Sequence, residues 1–325
     1  MKIFLNRRLP EIGMKLLADN NIQLIQPDKN ELSYQEWLYY CQQADGIINV
    51  GKNKFDRYFF EQCPQIKAIS LFSVGYNHVD IQAATARKIA IGNTPNVLSK
   101  ATSDTAFLLM QSVARRASFN YDRVRKGNWE LILDPMANLG QELYGKTVGI
   151  YGLGRIGYEF AKKCKYAFDM NIIYHNRSRN EAAEKELGAI FVPFEQLIKD
   201  ADILSVHANY TNNQKELFNA SIFKQMKSNS IFINTARGEF HNEEDLYTAV
   251  NEQLIWGVGL DVTNPEPMLP TSKLLNLPTV CVLPHIGSAT IEARNGMAQL
   301  AAENIIAFVR GDKMPYLVNN DIYTL

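Results

Sequence analysis

Short runs of β-branched and other apolar residues alternate along this chain with stretches whose apolar positions recur every three to four residues. That alternation predicts an α/β architecture with parallel sheets. Over the first hundred residues it predicts strands at 2–6, 22–26, 46–50, 66–72 and 89–92, with helices between them at 11–19, 34–43, 55–62 and 81–87. These elements suffice for one small doubly wound unit. The stretch 102–115 (TSDTAFLLMQSVAR) is too apolar for a solvated surface helix and is expected in the core or at a subunit interface. Residues 128–145 have no clean periodicity and carry Pro135 and Gly140, so a long loop or arm is expected there, and such loops are often functional. A second series opens at 147, with strands at 147–151, 171–175, 202–207, 230–234, 257–261 and 280–283 and a closing helix at 288–310. Six strands with intervening helices match the size of a dinucleotide-binding domain. The expected fold class is therefore α/β, with two doubly wound parallel-sheet domains.

Composition narrows the partners. The chain has 325 residues, a length that suits two domains at about 150 residues each. Lys plus Arg and Asp plus Glu number 34 each, so the formal charge is zero and no basic excess marks a nucleic-acid binder. With 46% hydrophobic residues and no net charge, the chain lacks the signature of disorder. No apolar run reaches the roughly 18 residues of a membrane span, and the start MKIFLNRRLP turns charged too early for a signal peptide. The cysteines at 41, 63, 164 and 281 form no CxxC pair. Buried thiols in a reducing cytoplasm are expected, and no metal site.

Gly152-Leu153-Gly154-Arg155-Ile156-Gly157 fits G-x-G-x-x-G between an apolar β run and an amphipathic helical stretch, the setting in which that motif holds a dinucleotide. Gly152 allows the tight turn, Gly154 lets backbone approach a pyrophosphate, and Gly157 lets helix pack on strand. The helix N-terminal amides face the anion, and Arg155 adds charge at the mouth. An acid some 20 residues on would hold the ribose hydroxyls of NAD. The second strand instead ends in His175-Asn176-Arg177-Ser178-Arg179. Arginine pairs with a 2′-phosphate that a carboxylate would repel. Asn176, Arg177 and Ser178 are thus candidates for binding NADP(H), preferred here over NAD(H); the alternative is that the arginines are merely solvated.

Arg237, Glu266 and His285 all follow strand ends of the second series, the edge where such sheets bind ligands. Arginine offers a fork suited to carboxylate. Histidine, with an ordinary pKa near ~6.5, can lend and recover a proton near neutrality. A neighbouring carboxylate orients the ring and favours its protonated form. Together they suit reduction of a 2-keto acid. Asp261 ends the apolar strand GVGLDV and needs a donor, either a nicotinamide carboxamide or a backbone amide. Ser73-Val74-Gly75-Tyr76-Asn77 follows a strand of the first unit and is read as an anion-binding backbone or a plain turn.

With those residues in place, the sequence resembles the D-2-hydroxyacid dehydrogenase family. The matching segments are SVGYNHVD at 73–80, TARK at 85–88, GLGRIG at 152–157, FINTARG at 232–238, GLDVTNPEP at 259–267 and LPHIGSAT at 283–290. Within the family it looks most like the glyoxylate/hydroxypyruvate reductases. The resemblance implies a flavodoxin-like substrate domain (1–99 plus 290–325) and an inserted Rossmann cofactor domain (100–289). It implies Arg237 on the substrate carboxylate, Val74 and Gly75 binding that carboxylate through backbone, Glu266 supporting His285, and His285 as acid/base. Thr235, Ala236 and Asp261 join the cofactor contacts, and a homodimer is expected. Three features depart from the family pattern: Asn209-Tyr210-Thr211 replaces a Pro-Leu-Thr run, His241-Asn242 stands where an acid is usual, and the arm holds Trp129 without a second Trp. The expected activity is NADPH-preferring reduction of glyoxylate or hydroxypyruvate to a D-2-hydroxy acid. A 2-ketogluconate-type reductase and a non-enzymatic nucleotide-sensing corepressor are the alternatives.

Overall fold

The computed structural model describes residues 1–29, 31–129 and 133–323. Residues 130–132 of the arm expected over 128–145 lie outside the described residues. The chain divides into two compact units, Met1–Leu98 with Ala289–Leu325, and Ser99–Ser288.

The first unit is built on a five-stranded sheet of β1 (Lys2–Leu5), β2 (Gln23–Ile25), β3 (Gly46–Asn49), β4 (Ala68–Leu71) and β5 (Ala90–Gly92). The order is β2-β1-β3-β4-β5, with every pair parallel. This is the flavodoxin-like winding. Strands β3, β4 and β5 are buried throughout, as their near-continuous apolar sequences require. Side chains hold the helix starts. Ser33 and Glu36 form a reciprocal capping box on Tyr34–Gln42, and Asp56 and Asp80 cap Arg57–Gln62 and Ile81–Ala86. Trp37, Phe55, Phe59 and Phe60 pack edge-on and tilted in the core of this unit. The chain returns to the unit with the helix Ile291–Val309. Ser70 Oγ donates to Ala301 O on it at 2.9 Å, and its buried Asn304 bonds Asn93 O and the Tyr316 N–H.

The second unit holds β6 (Thr147–Tyr151), β7 (Asn171–His175), β8 (Ile190–Phe191), β9 (Ile203–Val206), β10 (Ile231–Asn234), β11 (Gly257–Leu260) and β12 (Val280–Val282). Among the described residues these form one sheet of order β12-β11-β10-β9-β6-β7-β8, wholly parallel. Strand β6 pairs with both β7 and β9, so the winding reverses there, and the crevice at that point is where such sheets bind ligands. Six strands are expected from the sequence and seven are found. The extra one, β8, is two residues long and leaves no periodic trace. The apolar helix Ser99–Ala114 buries Ala106, Leu109, Met110 and Val113 in this unit's core. Arg116, at φ 50°, then turns the chain into a second helix, Ala117–Arg125, whose polar sequence hides it.

Candidate active site

The phosphate loop leaves β6 and enters the helix Arg155–Phe168. Gly152 sits at φ +98°, and a Cβ there would lie 2.4 Å from Ala208 N. A Cβ on Gly157 would lie 2.6 Å from Gly152 O. Both positions therefore exclude a side chain for reasons internal to the protein. Gly154 differs: a Cβ there would meet nothing within 4 Å. It is the N-cap of a 14-residue helix whose first amides receive no side-chain cap. Open space, uncapped amides and a helix dipole fit a dinucleotide pyrophosphate. Arg155 and Gly154 are exposed, Ile156 is half-buried, and Leu153 is buried in the core.

The turn after β7 is tied to this loop. Leu153 N donates to Asn176 Oδ1 at 2.7 Å, and Asn176 and Asn180 both donate to Leu153 O, at 3.3 and 2.9 Å. Asn176, a candidate cofactor contact, thus has its amide engaged with the loop. Arg177 and Ser178 are exposed. Arg179 turns back to Glu184, with Nε 3.0 Å from Oε1 and Nη2 2.6 Å from Oε2.

Arg237 follows β10 in a turn shaped by buried Asn234. Asn234 Oδ1 accepts from Ala236 N at 2.9 Å, and Nδ2 donates to Arg237 O at 2.8 Å and to His241 Nδ1 at 3.0 Å. The neighbouring Thr235 Oγ1 lies 3.4 Å from His207 Nδ1. Arg237 itself is half-buried, and Nη1 donates to Ala236 O at 2.6 Å. Burial lowers its pKa from the ordinary arginine value, opposed by the carboxylates of Glu239 and Glu266. A Cβ on Gly238 would stand 2.0 Å from Thr263 O, so backbone-to-backbone approach brings this turn against the loop after β11 that carries Glu266.

Glu266 Oε1 lies 2.7 Å from His285 Nδ1. The carboxylate accepts from the ring N–H, which fixes the tautomer and leaves Nε2 for proton exchange. His285 holds a left-handed backbone at φ +56°. The next two amides explain how: Ile286 N and Gly287 N donate to Asp261 Oδ1 and Oδ2, each at 2.7 Å. Asp261 is 1% exposed. Burial raises its pKa against the lowering effect of those two amides. Of the two donors open from the sequence, the structure supplies backbone amides.

Arg237, Glu266 and His285 thus gather at the carboxyl edge of the sheet that carries the phosphate loop. Val74 and Gly75 lie in the first unit, in the turn after β4. Asn93 Nδ2 donates to Val74 O and Ser73 Oγ to Gly75 O, both at 2.8 Å, so the carbonyls fix the turn's shape. His241, at the position where the family pattern has an acid, is 1% exposed. Asn234 shows in the sequence only as part of FINTARG and Glu184 carries no motif signal, and the folded backbone reveals their partners. All four cysteines are buried and unpaired. Among the described residues no cluster of His, Cys, Asp or Glu is arranged to hold a metal, and no helix is long and apolar enough to cross a membrane.

Known proteins resemble this chain over nearly its whole length. Residues 107–287 match the model of the D-isomer specific 2-hydroxyacid dehydrogenase, NAD binding domain. A glyoxylate reductase of Thermococcus litoralis is 41% identical over 326 residues, covering 99% of this chain and 98% of the relative. One of Pyrococcus horikoshii is 39% identical over 324 residues, covering 99% and 96%. The crystal structure of a glyoxylate reductase from Paecilomyes thermophila superposes with a TM-score of 0.86 at 30% identity, covering 98% of each chain. An NADPH-dependent glyoxylate/hydroxypyruvate reductase from Sinorhizobium meliloti, solved with NADP and malonate, gives 0.82 at 28% identity, covering 98% of this chain and 96% of that one.

Proposed function

Because this chain belongs to the D-isomer specific 2-hydroxyacid dehydrogenase family, and is thereby an NAD(P)-dependent oxidoreductase, we propose that it reduces glyoxylate or hydroxypyruvate to the D-2-hydroxy acid with NADPH as its preferred reductant. The observation that carries this reading is the Glu266–His285 pair beside Arg237, on the sheet that bears the phosphate loop. Glyoxylate reductases 39% and 41% identical to this chain over 99% of its length support the substrate class.

In this reading the Arg237 guanidinium pairs with the substrate carboxylate and polarises the adjacent carbonyl. Val74 and Gly75, in the first unit, are the proposed backbone N–H donors to a substrate carboxylate. The first unit is then the substrate-binding domain, and Ser99–Ser288 the cofactor domain. A nicotinamide cofactor held at the phosphate loop Gly152–Gly157 would supply the hydride that this reduction needs. His285 delivers the proton from Nε2 to the carbonyl oxygen, which becomes the hydroxyl, and recovers a proton from water. Glu266 keeps the ring in the required tautomer and offsets its positive charge before transfer. Asp261 acts behind His285 by holding the turn that aims it.

The cofactor reading rests on the turn after β7. The segment Asn176–Asn180 contains no carboxylate, and exposed Arg177 and Ser178 suit a 2′-phosphate. The expected homodimer draws support from a run of exposed apolar side chains: Leu108, Tyr121, Trp129, Leu133, Met136 and Leu139. Exposed apolar side chains such as these suit an interaction surface, and its proposed occupant is a second copy of the chain. Four buried, unpaired thiols support the proposed cytoplasmic location.

The test is oxidation of NADPH or NADH, followed by near-UV absorbance, with glyoxylate, hydroxypyruvate and 2-ketogluconate. The expected result is fast turnover of the two small acids with NADPH and slower turnover with NADH. Faster turnover of 2-ketogluconate would replace the small-acid reading with the larger sugar acid. NADPH binding without turnover of any acid would favour a nucleotide-sensing corepressor.

A further inference from the structure

The helix Glu181–Leu187 brings an acid to the ribose-side turn that the strand end itself lacks. Glu184 folds back onto the turn and takes Arg179 in a two-pronged pair, at 3.0 and 2.6 Å. Tyr174 Oη donates to Glu184 Oε1 at 2.6 Å and accepts from Asn180 N at 2.7 Å. Asn180 in turn donates to Leu153 O inside the phosphate loop and caps Glu181–Leu187 through Ala183 N. Glu184 is therefore wired into the frame of the cofactor site. Its side chain is 18% exposed, against 65% for that of Arg179.

The two arginines that the sequence places together have separate fates. Arg177 is exposed and close enough to Tyr151 to act on it electrostatically. Arg179 gives two of its five donors to Glu184, which also cancels its charge. A 2′-phosphate is recognised by guanidinium donors and positive charge, so the pair removes on both counts what Arg179 would contribute.

We propose that Glu184 sets the upper limit of this chain's preference for NADPH over NADH, by holding Arg179 away from the 2′-phosphate. This rests on the NADPH reading above. The ion pair also fixes the turn, and a partly exposed pair of this kind is only weakly stabilising. Its loss therefore frees Arg179 without unravelling the loop.

The experiment measures Kd for NADPH and NADH by cofactor fluorescence on the full chain, without substrate. The variants are Glu184→Gln, Arg179→Ala, the double variant and Arg177→Ala. Glutamine keeps an acceptor for Tyr174 and removes the charge. Glu184→Gln should tighten NADPH about 3- to 10-fold and leave NADH within about twofold. Adding Arg179→Ala to Glu184→Gln should erase the gain, a coupling that the double-mutant cycle isolates. Thermal melts of each variant confirm that it is folded. An unchanged NADPH:NADH ratio in Glu184→Gln overturns the proposal. So does a gain that survives the loss of Arg179, because charge removal alone would then explain it. The underlying cofactor reading fails by a different result: a wild-type ratio near one that Arg177→Ala leaves unmoved.

Discussion

Asp261 Oδ2 accepts the Gly287 N–H at 2.7 Å, and a Cβ at position 287 would stand 2.9 Å from that same oxygen. The closeness shows how tightly the turn after β12 is seated on the end of β11. His285 lies between these anchors with a left-handed backbone that costs a non-glycine residue about 1–2 kcal/mol unless its surroundings impose it. Asp261→Asn keeps one acceptor and turns an NH2 group toward a buried N–H. An unsatisfied buried donor costs about 1–3 kcal/mol. The melting temperature should fall by roughly 5 °C. The value of kcat should fall about 10-fold as His285 loses its aim, with cofactor Kd unchanged. Calorimetry and steady-state kinetics on one preparation read both effects.

His285→Ala should lower kcat by about 10² to 10⁴, the usual worth of a positioned acid/base, while NADPH still binds with its wild-type Kd. Glu266→Gln should lower kcat less, by about 10-fold, because the ring keeps a neutral partner. Equal loss of cofactor binding in either variant would place these residues in a structural role.

The three loop glycines should respond differently to alanine. Gly152→Ala forces a Cβ into backbone at a left-handed φ and should destabilise the fold by more than about 2 kcal/mol. Gly154→Ala meets no protein atom, so its melt should match wild type. Its Cβ instead enters the space before the helix N-terminus, and cofactor Kd should rise at least about 10-fold. Gly157→Ala, held against Gly152 O, should resemble Gly152→Ala. Melts and fluorescence titration separate the two outcomes.

Acid should unfold the chain partly through His241. Burial pushes its pKa down to about 4, and its Nδ1 must stay unprotonated to accept from Asn234. The unfolded chain binds this proton near ~6.5. Since the unfolded state holds more protons below that value, stability is full above pH ~6.5 and falls as pH drops toward about 4. The slope from this one group is about 1.4 kcal/mol per pH unit at most. His241→Asn keeps an acceptor without titrating, so its acid limb should be shallower in denaturant melts between pH 4 and 7. Identical limbs would remove His241 from the account.

The sheets and the phosphate loop are legible in the sequence because their signals are local: apolar runs, glycine spacing and a following helix. Arg237, Glu266 and His285 are legible from residue type and their place after strands. What escapes is set by backbone brought together from far apart. Asp261 serves His285 through amides 25 and 26 residues away. Glu184 reaches the ribose-side turn only because Gly188 and Asn180 fix the ends of a seven-residue helix. His241 looks like a polar residue before a helix cap, yet the turn it closes faces inward. Strand β8 and the helix Ala117–Arg125 escape for a simpler reason, since one is too short and the other too polar to show a period.

The helix Ile291–Val309 packs against Glu11–Asp19 so closely that a Cβ on Gly13 would stand 2.9 Å from Ala298 O. The ribosome makes these two partners on either side of the whole of Ser99–Ser288. At about 5–20 residues per second, roughly 10–40 s separate their emergence. Through that interval the nascent first unit carries Gly13 and Ser70 without the helix that covers them. The second unit has every strand it needs and can fold in the meantime. The order of synthesis therefore leaves the amino-terminal part of the chain as the last to be completed, and makes it the segment most exposed to chaperones and proteases before the carboxyl-terminal helix arrives.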